Sequence, residues 1–468
     1  MALSRIWSAF ILIAITVALF KYLPQGGEKQ IFSSMIIGKS GDSLAVGKMN
    51  QSSVSPTILQ GLDTASRVTE NKLIYKKEGT EVVAVRVQNA NGVIETCKDA
   101  VTICIGLIGI MALFMGFMSI AEKAGGINLL SRIIGPFFSR IFPEVPKGHP
   151  AFGHMMMNFS ANLLNLDNAA TPFGLKAMES LQELNPSKST ASNAQLMFLC
   201  LHASGLTLIP VTIIAARASL KASNPTDIFV PCMVATFAAT MAAMFIVSFK
   251  QKINVFQPVI LAWVLGISAI IAALVLYLVR LDADGVQSFS SVLSNGLILF
   301  IFLAIVLGAL YKKINVFDAF IEGAKGGFET AVRIIPYLVG MLVAISLLRT
   351  SGTFDVVING MKSVFMWMGA DTRFVDGLPT ALIKPLSGSG ARGMMIDTMK
   401  TFGPDSFAGR LSSVLQGSSD TTFYVIAVYF GAVGIKNTRY AVGAMLLADL
   451  VGIITSILLA YLFFGSSL

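Results

Sequence analysis

The sequence predicts an all-α polytopic membrane protein: an inverted repeat of two units with broken, re-entrant hairpins, about nine transmembrane helices and a small extramembrane insert. Composition is the first ground. Of 468 residues, 54% are hydrophobic and 13% charged, against roughly 25% charged in ordinary soluble domains. A soluble fold this poor in charge could not cover its surface, and so apolar a chain does not stay disordered. Charge-free runs long enough to cross a bilayer are the second ground. A repeat whose copies contain interrupted hydrophobic segments is the third.

The spans follow in order. Ile6–Phe20, between Arg5 and Lys21, lacks a good small-x-small cleavage site after it and reads as an uncleaved anchor. Residues 24–97 are polar, and Val82–Gln88 and Val93–Cys97 flank Asn89-Ala-Asn-Gly92 as a β-hairpin would. Val101–Ala121, Asn193–Ala216, Ile228–Phe249, Ile253–Val279 and Gly285–Tyr311 are the next spans. Ile334–Leu348 and Thr421–Ile435 are shorter uncharged cores, and Tyr440–Phe464 carries one acid, Asp449. The net charge of +9 is scattered over short loops. It suits loop topology and anionic lipid, with no nucleic-acid patch. Lys250 and Lys252, then Arg280 to Asp284, then Lys312 and Lys313 alternate basic, mixed and basic. This places the N-terminus in the cytoplasm and residues 24–97 outside.

The chain repeats weakly, from about 98 to 249 and from about 326 to 464. Each copy has a span, a Gly-containing break, an amphipathic stretch, a segment too short to cross (150–166 or 378–387), a polar helix and two closing spans. With two further spans between the copies, equivalent elements lie five crossings apart. Five is odd, so the second copy enters from the opposite face.

His154, Asn158, Asn162 and Asn165 are spaced four, four and three apart, on one helical face. Asp167 to Pro172 then breaks the helix, with Asn168 in the turn, Thr171 as N-cap and Pro172 in the first helical position. Asp376, Thr380, Lys384 and Ser387 repeat the spacing before Pro385-Leu-Ser-Gly-Ser-Gly390, where Ser389 is placed to cap the next helix. Asn, Ser and Thr beside breaks can replace the hydration shell of a neutral polar solute. The expected solute contacts are Asn158, Asn162, Asn165, Asn168, Thr171, Lys384, Ser387, Ser389 and Ser419. Asp420, in the polar run from Gln416 to Thr422, is the expected coupling carboxylate, or else a partner of Lys384 or Arg392. His202 reads as a hydrogen-bonded packing residue. Cys97, Cys104, Cys200 and Cys232 form no C-x-x-C pair, and with three histidines they give no metal-ligand spacing. Walker A, H-E-x-x-H and G-x-S-x-G motifs are absent from the sequence, so no enzymatic activity is expected.

Residues 98–249 resemble the spore maturation protein A family at Gly106–Ala121, Phe142-Pro-Glu-Val-Pro146, Asn165–Met178 and Leu208–Ala215. Residues 317–464 resemble the spore maturation protein B family at Ala319-Phe-Ile-Glu-Gly323, Val332–Tyr337, Lys384–Gly390, Tyr424–Gly434 and Ala448–Gly452. Together these cover about two thirds of the chain, as a natural fusion of the two would. Both families belong to the nucleoside-recognition, or gate, group, which is similar to parts of concentrative nucleoside transporters and of ferrous-iron permease B. Arg392 departs from the pattern, standing where a small apolar residue is expected. The resemblance implies a bacterial inner-membrane protein whose paired hairpins form a substrate gate.

The expected domains are therefore an anchor at 1–23, an insert at 24–97, a first gate unit at 98–252, two linking helices at 253–316 and a second gate unit at 317–468. The expected function is secondary transport of a small polar solute, nucleoside-like or another small metabolite, through a midplane site. The alternative is a non-transporting scaffold or regulator of envelope or spore-cortex maturation. The bilayer and the solute are the expected partners, and a homo-oligomer is compatible with the sequence. No cofactor is expected, and the coupling ion would be Na+ or H+.

Overall fold

In hydrocarbon every backbone N–H and C=O must be satisfied within its own segment, so the apolar runs become helices. The computed structural model describes residues 2–23, 30–50, 56–64, 68–70, 73–78, 81–146, 148–163, 167–205, 207, 209–278, 280–281 and 283–465. The anchor is α1 (Ala2–Tyr22). The insert holds α2 (Ile31–Ile37), β1 (Gly38–Asn50), α3 (Pro56–Thr64), β2 (Val68–Glu70), β3 (Leu73–Glu78) and β4 (Glu81–Asn91). Its strands form one antiparallel sheet in the order β1-β4-β3-β2.

The predicted hairpin is thus half right. Val82–Gln88 lies in β4, but Val93–Cys97 opens α4 (Val93–Lys123). Gly92 sits in extended backbone so close to Gly38 that a Cβ would lie 2.4 Å from its nitrogen. The chain turns there, and Glu95 in the first helical turn suits the positive helix end.

The first unit continues with α5 (Gly126–Ile141), α6 (Pro150–Leu163), α7 (Asp167–Glu183), α8 (Asn193–Ser204), α9 (Val211–Ser219) and α10 (Phe229–Gln251). The linking helices are α11 (Pro258–Leu278) and α12 (Ala283–Tyr311). The second unit repeats the series as α13 (Val316–Thr350), α14 (Thr353–Trp367), α15 (Leu378–Ile383), α16 (Gly388–Phe402), α17 (Phe407–Gly417), α18 (Thr422–Val425) with a π turn at Ile426–Phe430, and α19 (Ala441–Phe464).

Among the described residues, α4, α10, α11, α13, α19 and the segment Val292–Tyr311 of α12 are long and apolar enough to cross a membrane. The chain is a multi-pass membrane protein. Two predicted spans are interrupted. Asn193–Ala216 is α8 and α9, parted at Gly205, which has φ +54°, and at Pro210, which precedes α9. Thr421–Ile435 holds α18 and its π turn, which continue α17 across the polar break Ser418–Thr421.

Equivalent spans pack antiparallel, as inverted copies must. Along α4 and α13, the Lys123 ammonium pairs with Glu322 at one end. At the other, the Ser346 hydroxyl donates to the Asn91 carbonyl at 2.7 Å. Between them the backbones touch: a Cβ on Gly323 would lie 2.3 Å from the Met115 carbonyl oxygen, and one on Gly327 would lie 2.7 Å from the Ala112 Cα. Small residues at such a seam maximise packing where lipid supplies no hydrophobic drive. Along α10 and α19, Gln251 donates to the Tyr440 hydroxyl at 3.0 Å. Further along, a Cβ on Gly452 would meet the Ala239 Cβ at 3.3 Å.

Candidate functional site

The two interrupted helices meet at their interruptions. A helix ends with carbonyls that have no partner of their own. At the end of α8 the Ala203 carbonyl accepts from the backbone N–H of Asp420 at 2.7 Å. Asp420 belongs to the break of the second unit, so one copy's break caps the other copy's helix. The Asp420 carboxylate accepts from the Thr421 N–H at 2.6 Å. Its other oxygen stands 3.9 Å from His202 Nε2.

His202 occupies the last turn of α8, a helix begun by a capping box between Ser192 and Gln195. Asn158 and Asn162, one turn apart on α6, both face it. Asn158 Oδ1 lies 3.0 Å and the Asn162 amide 2.8 Å from His202 Nδ1. Asn158 is fully buried, and its Nδ2 donates to the Ala170 carbonyl at 2.6 Å. The Tyr429 ring, on the π turn of the second unit, stands edge-on to His202 at 4.8 Å. Gly174 on α7 leaves room for this ring, since a Cβ there would lie 2.5 Å from it.

The second hairpin joins its own break. The Phe423 N–H donates to the Pro385 carbonyl at 3.0 Å, and a Cβ on Gly388 would meet Thr421 Oγ1 at 2.7 Å. Ser387, not Ser389, is the N-cap of α16, accepting from the Gly390 N–H at 3.0 Å. Ser389 falls inside the first turn and touches Ser387 Oγ at 3.3 Å. Lys384, Ser418, Ser419 and Asp449 line a crevice too narrow to admit a water molecule. Thr422 donates to Asp449 at 2.6 Å. Among the described residues, the buried Oε1 of Gln416 and the Thr380 hydroxyl meet no hydrogen-bond partner.

The other expected residues fall as follows. Asn165 lies outside the described residues. Asn168 lies in the first turn of α7, which starts at Asp167, so Thr171 is inside the helix and caps nothing. Asp376 is held by Lys362 at 2.8 Å. Asp420 faces His202 in preference to the expected Lys384 or Arg392.

A second junction between the units was not foreseen. Arg217, fully buried at the end of α9, lies 2.9 Å from Asp227 and 3.3 Å from Asp405. Arg410 of α17 reaches Asp227 at 2.8 Å. The sequence signal was a lone arginine in each of two apolar helices. On the other side, Ala191 N–H donates to the Asn437 carbonyl, and the Lys436 and Asn437 N–H groups donate to the Ser189 carbonyl. Both pairings join a loop of one unit to the opposite loop of the other.

Residues 104–220 and 331–436 match the nucleoside-recognition Gate family. Spore maturation protein B of Bacillus subtilis (strain 168) is 49% identical over 175 residues, which cover 37% of this chain and 97% of that protein. Spore maturation protein A of the same organism is 42% identical over 154 residues, covering 33% of this chain and 79% of that protein. No solved structure matches the chain significantly. The chain belongs to the nucleoside-recognition gate family and joins in one polypeptide an A-like and a B-like unit.

Proposed function

We propose that this protein is a secondary transporter of a small polar solute in the bacterial inner membrane, with the N-terminus cytoplasmic and the insert outside. One observation carries the reading: two interrupted helices from inverted units cross at their breaks, with Asn158 and Asn162 of the first hairpin on His202 and Pro385 of the second bonded to Phe423. Inverted repeats with discontinuous helices are how secondary transporters hold a solute near the midplane. Asn162, Asn165, Asn168 and Thr171 would serve the solute from the first hairpin, with Asn158, expected as a contact but fully buried between the Ala170 carbonyl and His202, positioning them. Lys384, Ser387, Ser389 and Ser419 would serve it from the second, with Asp420 coupling. Gln416 and Thr380 add unused polar atoms.

The crevice is too narrow to admit a water molecule and is lined by residues of the second unit alone, so a solute reaches it only when the helices around it move apart. The scaffold reading draws on the sheet of the insert, an added module outside the two units, and on the maturation role in the relatives' names.

Thermal unfolding of the purified protein against nucleosides, amino acids and small acids tests the proposal. A solute at 100 times its Kd should stabilise the fold by ~2.7 kcal/mol, and Asn162→Leu should abolish that gain. No stabilisation by any of these solutes, together with loss of cellular function on removing residues 30–91, would replace transport by the scaffold reading.

A further inference from the structure

We infer that His202 and Asp420 together hold one exchangeable proton at the crossing of the two breaks, so that the coupling ion is H+. The inference rests on the transport reading for its role in coupling, but the proton site itself stands on geometry.

Asn158 fixes the arrangement. Its Nδ2 is engaged by the Ala170 carbonyl at 2.6 Å, so its Oδ1 is the atom presented to His202 Nδ1 at 3.0 Å. An amide oxygen only accepts, so Nδ1 must carry a hydrogen. The Asn162 amide, 2.8 Å from the same nitrogen, turns its oxygen to share that hydrogen, since amide nitrogen and oxygen exchange places by rotation. A neutral imidazole with Nδ1 protonated has a bare lone pair on Nε2. That lone pair faces Asp420 Oδ2 at 3.9 Å. Two acceptors confront each other, and one added proton turns the contact into a charge-assisted hydrogen bond.

Among the described residues, no other charged side chain lies within ion-pair distance of His202. α6 offers Asn158 and Asn162, and α8 itself offers Phe198. The π turn offers Tyr429. α10 has no charged residue between Phe229 and Phe249. Lys384 of the second hairpin and Asp449 of α19 lie beyond Asp420, in the crevice. The Asp420 side chain is 48% exposed and His202 is buried, so the carboxylate is the open side of the pair. His202 comes from the first unit and Asp420 from the second, so protonation draws the units together and deprotonation sets them apart. His202 is a positioning residue for the gate and needs no contact with solute.

The full-length protein in nanodiscs, labelled with 15N-histidine, tests this. The chain has three histidines, His149, His154 and His202, and a His202→Asn sample assigns the signals. In the unsubstituted protein, His202 Nδ1 should stay protonated from pH 5 to 9 while Nε2 titrates in a single step. In Asp420→Asn, that step should move down by about one pH unit or more, because the carboxylate that favours the imidazolium is gone. A permanently protonated Nε2 overturns the proposal, as does a step unmoved by Asp420→Asn. The tautomer is read on the unsubstituted protein, and His149→Asn and His154→Asn, which leave the crossing untouched, assign its signal by difference, so a misfolded variant at the crossing does not spare the proposal. A proton site found without any stabilising solute would count against transport alone.

Discussion

The junction of Arg217, Asp227, Arg410 and Asp405 gives the sharpest energetic prediction. Two guanidinium groups face two carboxylates, so the cluster has no net charge. Arg217 is fully buried, with its head bonded to the Pro404 carbonyl at 2.6 Å and the Pro225 carbonyl at 3.2 Å besides the two acids. Arg217→Met keeps the packing stem but leaves two carboxylates to share Arg410. Removing one partner of a buried ion pair costs about 3–5 kcal/mol, because the remaining charge is uncompensated. Adding Asp405→Asn restores neutrality, with Arg410 still paired to Asp227. The double variant should therefore lose less than the sum of the single losses, by about 0.5–3 kcal/mol. Reversible unfolding by SDS in mixed micelles, followed by circular dichroism, measures all three variants. A loss below ~1 kcal/mol for Arg217→Met, or strict additivity in the double variant, would refute the clamp.

Two glycines give further tests. Gly327→Ala drives a Cβ into the Ala112 backbone at 2.7 Å and should cost about 1–3 kcal/mol in the same unfolding assay; Gly326→Ala, whose nearest neighbour is the Met115 methyl at 3.8 Å, should cost far less. Gly388→Ala meets Thr421 Oγ1 at 2.7 Å and should part the second hairpin from its break. Hydrogen exchange of the Phe423 amide, which donates to Pro385, should then speed up by about 10-fold, or ~1.4 kcal/mol of local opening, and Thr421→Ala should reverse the effect.

Much of the architecture was legible because lipid leaves the backbone few choices. The charge-free runs became helices, and an odd number of intervening crossings gave the inversion seen in the α4–α13 and α10–α19 pairs. The spacing of Asn158 and Asn162 correctly placed both on one face. What the sequence left hidden is tertiary. His202 looked like packing because nothing local shows that Asp420, 218 positions later, lies opposite it. Thr171 and Ser389 were plausible caps, but the helices begin earlier, at Asp167, an acid that suits the positive helix end, and at Gly388, capped by Ser387. Val93–Cys97 has strand-like composition, yet it continues the apolar face of α4. Arg217 and Arg410 carry no motif, and only burial reveals that each needs the other unit's acid.

Cysteine cross-linking tests the inverted crossing most directly. In a background lacking Cys97, Cys104, Cys200 and Cys232, the pair Gln251→Cys and Tyr440→Cys sits at helix ends whose native side chains meet at 3.0 Å, within reach of a bifunctional thiol reagent. Inverted units predict ready cross-linking of this pair and none between Gln251→Cys and Phe463→Cys, at the far end of α19. Cross-linking of the second pair and not the first would mean that α10 and α19 run parallel, and the two breaks could not meet.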